Sequence, residues 1–141
     1  MVVNKTNIDV RYAETDQMGV VHHSSYVVYC EVGRTELIKQ LGFSYADLEK
    51  SGILSPVINI NLSYHYPARY GDTLTIETWI EQYTGVKVVY GYKIVNQHGQ
   101  TCVIGTSTHG CVKKDTFKPI SMRKYLPEWD KVYQNAMKKE A

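Results

Sequence analysis

Apolar residues recur at two different periods along this chain, and each change of period marks an element. Ile8, Val10 and Tyr12 alternate with Asp9 and Arg11, the pattern of a short half-buried strand. Residues 14–19 then mix charged and turn-forming side chains, with Gly19 supplying the backbone freedom for a sharp change of direction. Over residues 24–41 the spacing becomes three and four: Tyr26, Cys30, Gly33, Leu37 and Leu41 form one stripe, widened by Val27, Val28, Tyr29 and Val32. This predicts a long helix enclosed over much of its surface. Ser24 is its expected N-cap and Gly42 its stop, and Gly33 is where another backbone approaches closely. Residues 45–50 add a short turn of helix.

Alternation then returns. Ile58, Ile60, Leu62, Tyr64 and Tyr66 interleave with Asn59, Asn61, Ser63 and His65 as far as Pro67. Leu74, Ile76 and Ile80 follow the Gly71-Asp72 turn, alternating with Thr75, Glu77, Trp79 and Glu81. Val86, Val88, Tyr90, Tyr92 and Ile94 follow Thr84-Gly85, and Cys102, Ile104, Thr106, Thr108 and Val112 are expected to carry the last strand. Pro119 and Pro127 interrupt the final stretch, whose residues 129–138 read as a surface helix. A strand, a long helix and four long strands with short connections predict an α+β fold, one antiparallel sheet wrapped against one helix. Residues 1–141 are expected to form one domain, with 121–141 a partly helical extension.

Composition narrows the partners. The formal charge is +2, and the 16 Lys and Arg are scattered, so nucleic acid is not expected. Cys30, Cys102 and Cys111 form no CxxC pair and lie in apolar surroundings, which fits free thiols in a reducing compartment. The first seven residues lack a signal core, and no apolar run approaches the roughly 20 residues of a membrane helix. A soluble, cytoplasmic protein without a membrane span is the expectation.

The densest reactive cluster, Arg11, Tyr12, Glu14, Asp16, His22 and His23, falls between the first strand and the long helix. A helix N-terminus presents unpaired N–H groups and partial positive charge, suited to polarising a carbonyl oxygen or holding an oxyanion. The same field favours an ionised carboxylate nearby, so Asp16 has the chemistry to attack a carbonyl carbon or to activate water. An Asp in a Gly-containing loop serves equally as a turn residue. His22 and His23 have no third ligand at a familiar spacing, so neither a metal nor another cofactor is expected. Glu31 and Arg34 read as a local helix ion pair, and the 12 tyrosines suit either an acyl or aryl pocket or ordinary packing. Tyr26 and Tyr64 are the pocket candidates. No GxSxG, GxGxxG or GxxxxGK[ST] pattern occurs, which disfavours the corresponding hydrolases, dehydrogenases and nucleotide enzymes.

The segment Arg11-Tyr12-Ala13-Glu14-Thr15-Asp16-Gln17-Met18-Gly19-Val20-Val21-His22-His23-Ser24-Ser25-Tyr26 resembles the 4-hydroxybenzoyl-CoA thioesterase family. Glu31-Val32-Gly33-Arg34 and Pro67-Ala68-Arg69-Tyr70-Gly71-Asp72 extend the resemblance, which is nearest to the Tol-Pal-associated bacterial branch. It implies a hotdog fold, with a sheet wrapped around the long helix, assembled as a homodimer or homotetramer with sites at the subunit interface. It also implies hydrolysis of acyl-CoA, with Asp16 as nucleophile or general base and the backbone at His23 polarising the thioester carbonyl. Tyr12 and the His23 side chain match further positions of the site, and Gly19, Val21, Tyr26, Tyr64 and Lys87 are expected to meet substrate. Some relatives carry several basic residues for the CoA phosphates where this chain reads Tyr83-Thr84-Gly85-Val86-Lys87, so the nucleotide falls to Lys113, Lys114 or Lys118, or stays in solvent. An acyl-carrier-protein thioester shares the same pantetheine arm. A non-catalytic acyl-binding module would keep the pocket and need no ionised Asp16.

Overall fold

A computed structural model describes residues 1–137. In chain order the elements are β1 (Val3–Asp9), a 3-10 turn (Tyr12–Glu14), α1 (His23–Gln40), α2 (Tyr45–Lys50), β2 (Ile53–Leu54), β3 (Val57–Tyr64), β4 (Thr73–Tyr83), β5 (Lys87–Val95), β6 (Thr101–Gly110), β7 (Val112–Lys113), α3 (Met122–Tyr125) and α4 (Pro127–Met137). The five long strands form one antiparallel sheet in the order β1-β4-β5-β6-β3, and β2 pairs with β7 in a small second sheet. The α+β architecture, five strands around one long helix, is therefore as the sequence predicts.

One face of the sheet makes the core. Leu74, Ile76, Thr78 and Ile80 of β4 lie beside Ile94, Tyr92 and Tyr90 of β5, all buried beneath Tyr26, Tyr29, Cys30, Leu37 and Ile38 of α1. Each fully buried aliphatic side chain contributes on the order of 1.5–3 kcal/mol. Gly33 sets how closely α1 approaches: a Cβ there would overlap Thr78 Oγ1 and come within 2.6 Å of Ile76 Cγ2. Gly33→Ala should therefore destabilise the fold by roughly 1–2 kcal/mol, the overpacking cost exceeding the gain in helix propensity. Urea unfolding measures this, and an unchanged or raised midpoint would show that Thr78 and Ile76 yield.

Three expectations about the core need correction. The last strand buries Cys102 but not Ile104, Thr106 and Thr108. Ile94 pairs with Val103 but Val95 with Thr101, so Cys102 is an extra residue, and beyond this bulge the phase flips to bury Val103, Ser107 and His109 while Ile104 is exposed. The C-terminal helix is not a surface helix. Trp129, Tyr133 and Ala136 fall on one helical stripe and pack on the same sheet face as α1. Trp129 stacks on Phe43, the Tyr133 hydroxyl meets that of Tyr90 at 2.6 Å, and Tyr83 donates to Asp130. Lys138 lies outside the described residues. Finally, Glu31 and Arg34 form no ion pair: Glu31 is exposed, whereas Arg34, next to Gly33 on the inner stripe, points into the core.

Buried Arg34 is met by phenols. Its Nε donates to Tyr45 Oη (2.9 Å) and its Nη1 to Tyr92 Oη (3.1 Å). Tyr92 Oη meets Ser107 Oγ at 2.5 Å, and Ser107 Oγ meets His109 Nε2 at 2.7 Å. Burial, reinforced by the Arg34 cation, pushes the His109 imidazole down to about 4 from 6.5. The unfolded chain therefore takes up a proton below pH 6.5 that the folded chain refuses. Stability is full above that pH and falls by up to roughly 3 kcal/mol by pH 4. His109→Gln should remove this part of the pH slope of urea unfolding, and equal slopes in both proteins would refute the assignment.

The fifth strand, β3, ends the sheet. Val57, Ile58, Ile60 and Tyr64 are exposed along it, 55% in the case of Ile58. An apolar sheet edge of this length is a template for pairing with another strand.

Candidate active site

The connection from β1 to α1 is a small hairpin. Thr15 pairs with Val21, Asp16 N–H donates to Val20 O (2.9 Å), and Gly19 N–H donates to Asp16 O (3.1 Å). Gly19 takes φ +78°, the left-handed conformation that a side chain resists, so the sequence closes the turn there. The hairpin is stitched to the segment before β4: Val20 pairs with Arg69, and Val21 N–H donates to Ala68 O at 2.8 Å. The half-buried Asp16 uses Oδ1 to accept the Met18 N–H at 2.8 Å, and its Oδ2 has no protein partner among the described residues.

Glu14 anchors the other side of the loop. Its carboxylate accepts from Arg11 N–H (2.8 Å), the Tyr29 hydroxyl (2.9 Å) and the Arg11 guanidinium (3.2 Å). Burial alone would raise its pKa, but these donors outweigh burial and hold it below the usual carboxylate value. The Tyr29 phenol is correspondingly driven up, by burial first and by Glu14 second. Residue pattern alone gives Glu14 no part in bracing the site. Its partner Tyr29 stands 15 residues further on, and the two are seen to meet only once α1 is placed.

α1 begins at His23, one residue before the expected start, because His22 and not Ser24 is the N-cap: His22 Nδ1 accepts Ser24 N–H at 3.1 Å. His23 is thus the first helical residue, whose N–H has no intrahelical acceptor. The Tyr64 hydroxyl donates to His23 O at 3.3 Å, and the Tyr26 hydroxyl accepts from Ala68 N–H at 3.3 Å. Burial raises the Tyr26 pKa.

An open cleft of about 300 Å³ collects these groups, lined by Asp16, Val21, His23, Tyr26 and Tyr64 together with Met18, Val20, His65, Tyr66 and Pro67. Five of the expected site residues therefore meet in one place. Gly19 shapes the hairpin without lining the cleft. Tyr12 lies on the 3-10 turn, 78% exposed, edge-on to Tyr70. Lys87 starts β5 opposite Gly110, and it does not line the cleft either. His65 and Tyr66, to which residue pattern assigns no chemistry, reach the cleft because the Pro67-Ala68 turn is bonded to the Asp16 hairpin. The pairing of an unoccupied carboxylate oxygen with a helix N-terminus across an apolar, tyrosine-lined cleft is suited to attack on a carbonyl group.

Comparison with known proteins decides the family. A model described as Thioesterase superfamily matches residues 18–103, more than half of the chain. The chain belongs to the thioesterase superfamily. The matched span begins two residues after Asp16. This thioesterase is 56% identical over 138 residues to the putative acyl-CoA thioesterase YneP of Bacillus subtilis, covering 98% of the chain and 100% of that protein. It is 32% identical to the acyl-CoA thioester hydrolase YbgC of Escherichia coli O157:H7, covering 84% of the chain and 89% of YbgC. Among solved structures, the DHNA-CoA thioesterase of Staphylococcus aureus superposes with a TM-score of 0.93 at 43% identity, covering 96% and 91% of the two chains. The sheet and helix of the thioesterase are thus those of the hotdog fold. Among its described residues, no helix is long and apolar enough to cross a membrane.

Proposed function

We propose that the chain hydrolyses acyl-CoA thioesters to the free acid and CoA. The observation that carries this is the cleft itself, which Asp16 and His23, the first residue of α1, both line. A thioester carbonyl there accepts the His23 N–H, which gathers the negative charge as its carbon becomes tetrahedral. Asp16 removes a proton from water as the water oxygen bonds to that carbon, the C–S bond breaks, and the proton passes to the departing thiolate. Direct attack by Asp16, followed by hydrolysis of the resulting anhydride, uses the same placement. Tyr26 and Tyr64, with rings 5.5 Å apart, wall the acyl or aryl side.

The motif from Arg11 to Tyr26 supports membership of the 4-hydroxybenzoyl-CoA thioesterase family, near its Tol-Pal-associated branch. The exposed β3 edge supports a homodimer in which two β3 strands pair and each cleft is closed by the other subunit. Tyr12 and the His23 side chain are candidates to orient substrate or water in that assembled site. Three buried, unpaired cysteines support a reducing, cytoplasmic location, and residues 1–141 are read as one hotdog domain.

The test is a thiol-release assay with acyl-CoA and aryl-CoA thioesters of graded length and with an acyl-carrier-protein thioester. Hydrolysis of the CoA series is expected. Release from the carrier protein alone would reassign the donor, and release from neither would leave an acyl-binding module.

A further inference from the structure

The hairpin after β6 carries two features that neither the core nor the cleft explains. Its backbone is closed by Lys113 N–H to Lys118 O (3.0 Å) and Phe117 N–H to Lys113 O (2.7 Å), and Val112 bridges to Pro119. At its tip Phe117 has φ 59°, alone among the described non-glycine residues in being left-handed, and its ring is 59% exposed. Glycine is the residue this conformation favours, and an aromatic residue this exposed gains little packing within the chain. A largely exposed side chain on strained backbone is where a ligand contact is expected.

The second feature is charge. Lys113 and Lys124 bring their ammonium groups to 5.4 and 5.6 Å from the centre of one ring, that of Tyr125. Lys118 joins them around an open cleft of about 480 Å³ that also contains Ser121, Thr116 and one acid, Asp115. Lys114 is engaged by Glu49 at 3.4 Å. Converging cations with hydroxyls beside them are suited to phosphate, and an exposed aromatic next to them is suited to a base.

The hairpin lies beyond the start of β3, held by Gly110 N–H to Pro56 O at 3.2 Å and Ser55 Oγ to Gly110 O at 3.0 Å. The Asp16 cleft lies at the other end, at Tyr64, His65 and Tyr66. Within one chain the two are separated by the length of β3, roughly 25 Å at about 3.3 Å per residue. Antiparallel pairing of two β3 edges reverses this, placing the start of one strand beside the end of the other.

We infer that the hairpin of one subunit receives the nucleotide end of the CoA thioester bound in the other subunit's cleft, Phe117 stacking on adenine and Lys113, Lys118 and Lys124 meeting the phosphates. This rests on the reading of the cleft as an acyl-CoA site, and it fills the gap left where the β4–β5 turn offers only Lys87.

Phe117→Gly and Lys118→Gln test it with an acyl-CoA and the same acyl group on pantetheine, which lacks the nucleotide. Glycine fits the backbone, so Phe117→Gly should fold. Each variant should raise KM for the CoA substrate about tenfold with kcat held, and leave KM for the pantetheine thioester within about twofold. Equal KM for the CoA substrate in variant and parent, or equal increases for both substrates, would overturn the inference. The subunit assignment is read from co-expressed mixed dimers of Asp16→Asn with Phe117→Gly. Their live cleft faces an intact hairpin across the interface, so KM should return to the parent value; a KM that stays high places the contact within one chain and overturns it. Should neither thioester be hydrolysed, the cleft reading fails separately. CoA binding by calorimetry then decides: affinity lost in Phe117→Gly supports the subsite, and unaltered affinity overturns it.

Discussion

Asp16→Asn should lower the release of CoA from acyl-CoA thioesters by about a thousandfold or more. The substitution exchanges one carboxylate oxygen for an amide nitrogen at almost constant size. The amide oxygen still accepts the Met18 N–H that Oδ1 accepts at 2.8 Å, so the hairpin and its bridges to Val20 and Ala68 persist. What disappears is the ionised oxygen at Oδ2, the base or nucleophile of the proposed reaction. Circular dichroism and the subunit mass should match the parent while thiol release collapses. Turnover at the parent rate would remove Asp16 from the reaction and leave the His23 N-terminus without a partner for attack.

The second large effect is expected from the sheet edge. Ile58→Lys combined with Ile60→Lys replaces two exposed apolar side chains of β3 by cations. In a two-fold pairing of β3 strands both copies bring the new charges into the same interface, so the penalty is counted twice. Light scattering at low salt should show the mass falling from two chains to one. Thioester hydrolysis should fall by about a hundredfold, because the cleft walls at Tyr64 and Tyr66 would lose the chain proposed to close them and a misplacement of about 1 Å is enough to cost that much. Neither substitution touches the buried face of β4 and β5, so the single chain should still unfold cooperatively. A dimer of parental activity would rule out the β3 edge as the interface.

Much of this architecture is legible in the residue pattern, for a physical reason. α1 and β4 each bury one face, and burial of one face is what a period of three and four or a period of two records. The pattern becomes misleading where one residue is added or where polar and apolar atoms share a side chain. Cys102 is such an insertion, and the inward positions after it in β6 are shifted by one. Arg34 and Tyr133 are the other kind: their polar atoms meet Tyr92 and Tyr90 deep in the core, so a polarity scale places them on the surface. Asp16 and His23 are legible through the motif that contains them. His65 and Tyr66 are not, because they reach the cleft through bonds between Val21 and Ala68, 47 positions apart in sequence. Tyr12 and Lys87 lie outside the cleft of a single chain, so the motif and the turn that contain them do not by themselves bring them to it.

The close contact at Gly33 has a mechanical side. Ten residues separate it from His23, roughly 15 Å of helix at about 1.5 Å per residue, and α1 runs unbroken between them. A rigid rod resting on a fulcrum transmits any tilt to its tip. The spacing between Gly33 and the Ile76–Thr78 surface therefore sets the position of His23 at the cleft, although Gly33 does not line the cleft itself. Core substitutions beneath the middle of α1 act on this enzyme as aiming errors, and a library selected for stability alone would drift in rate.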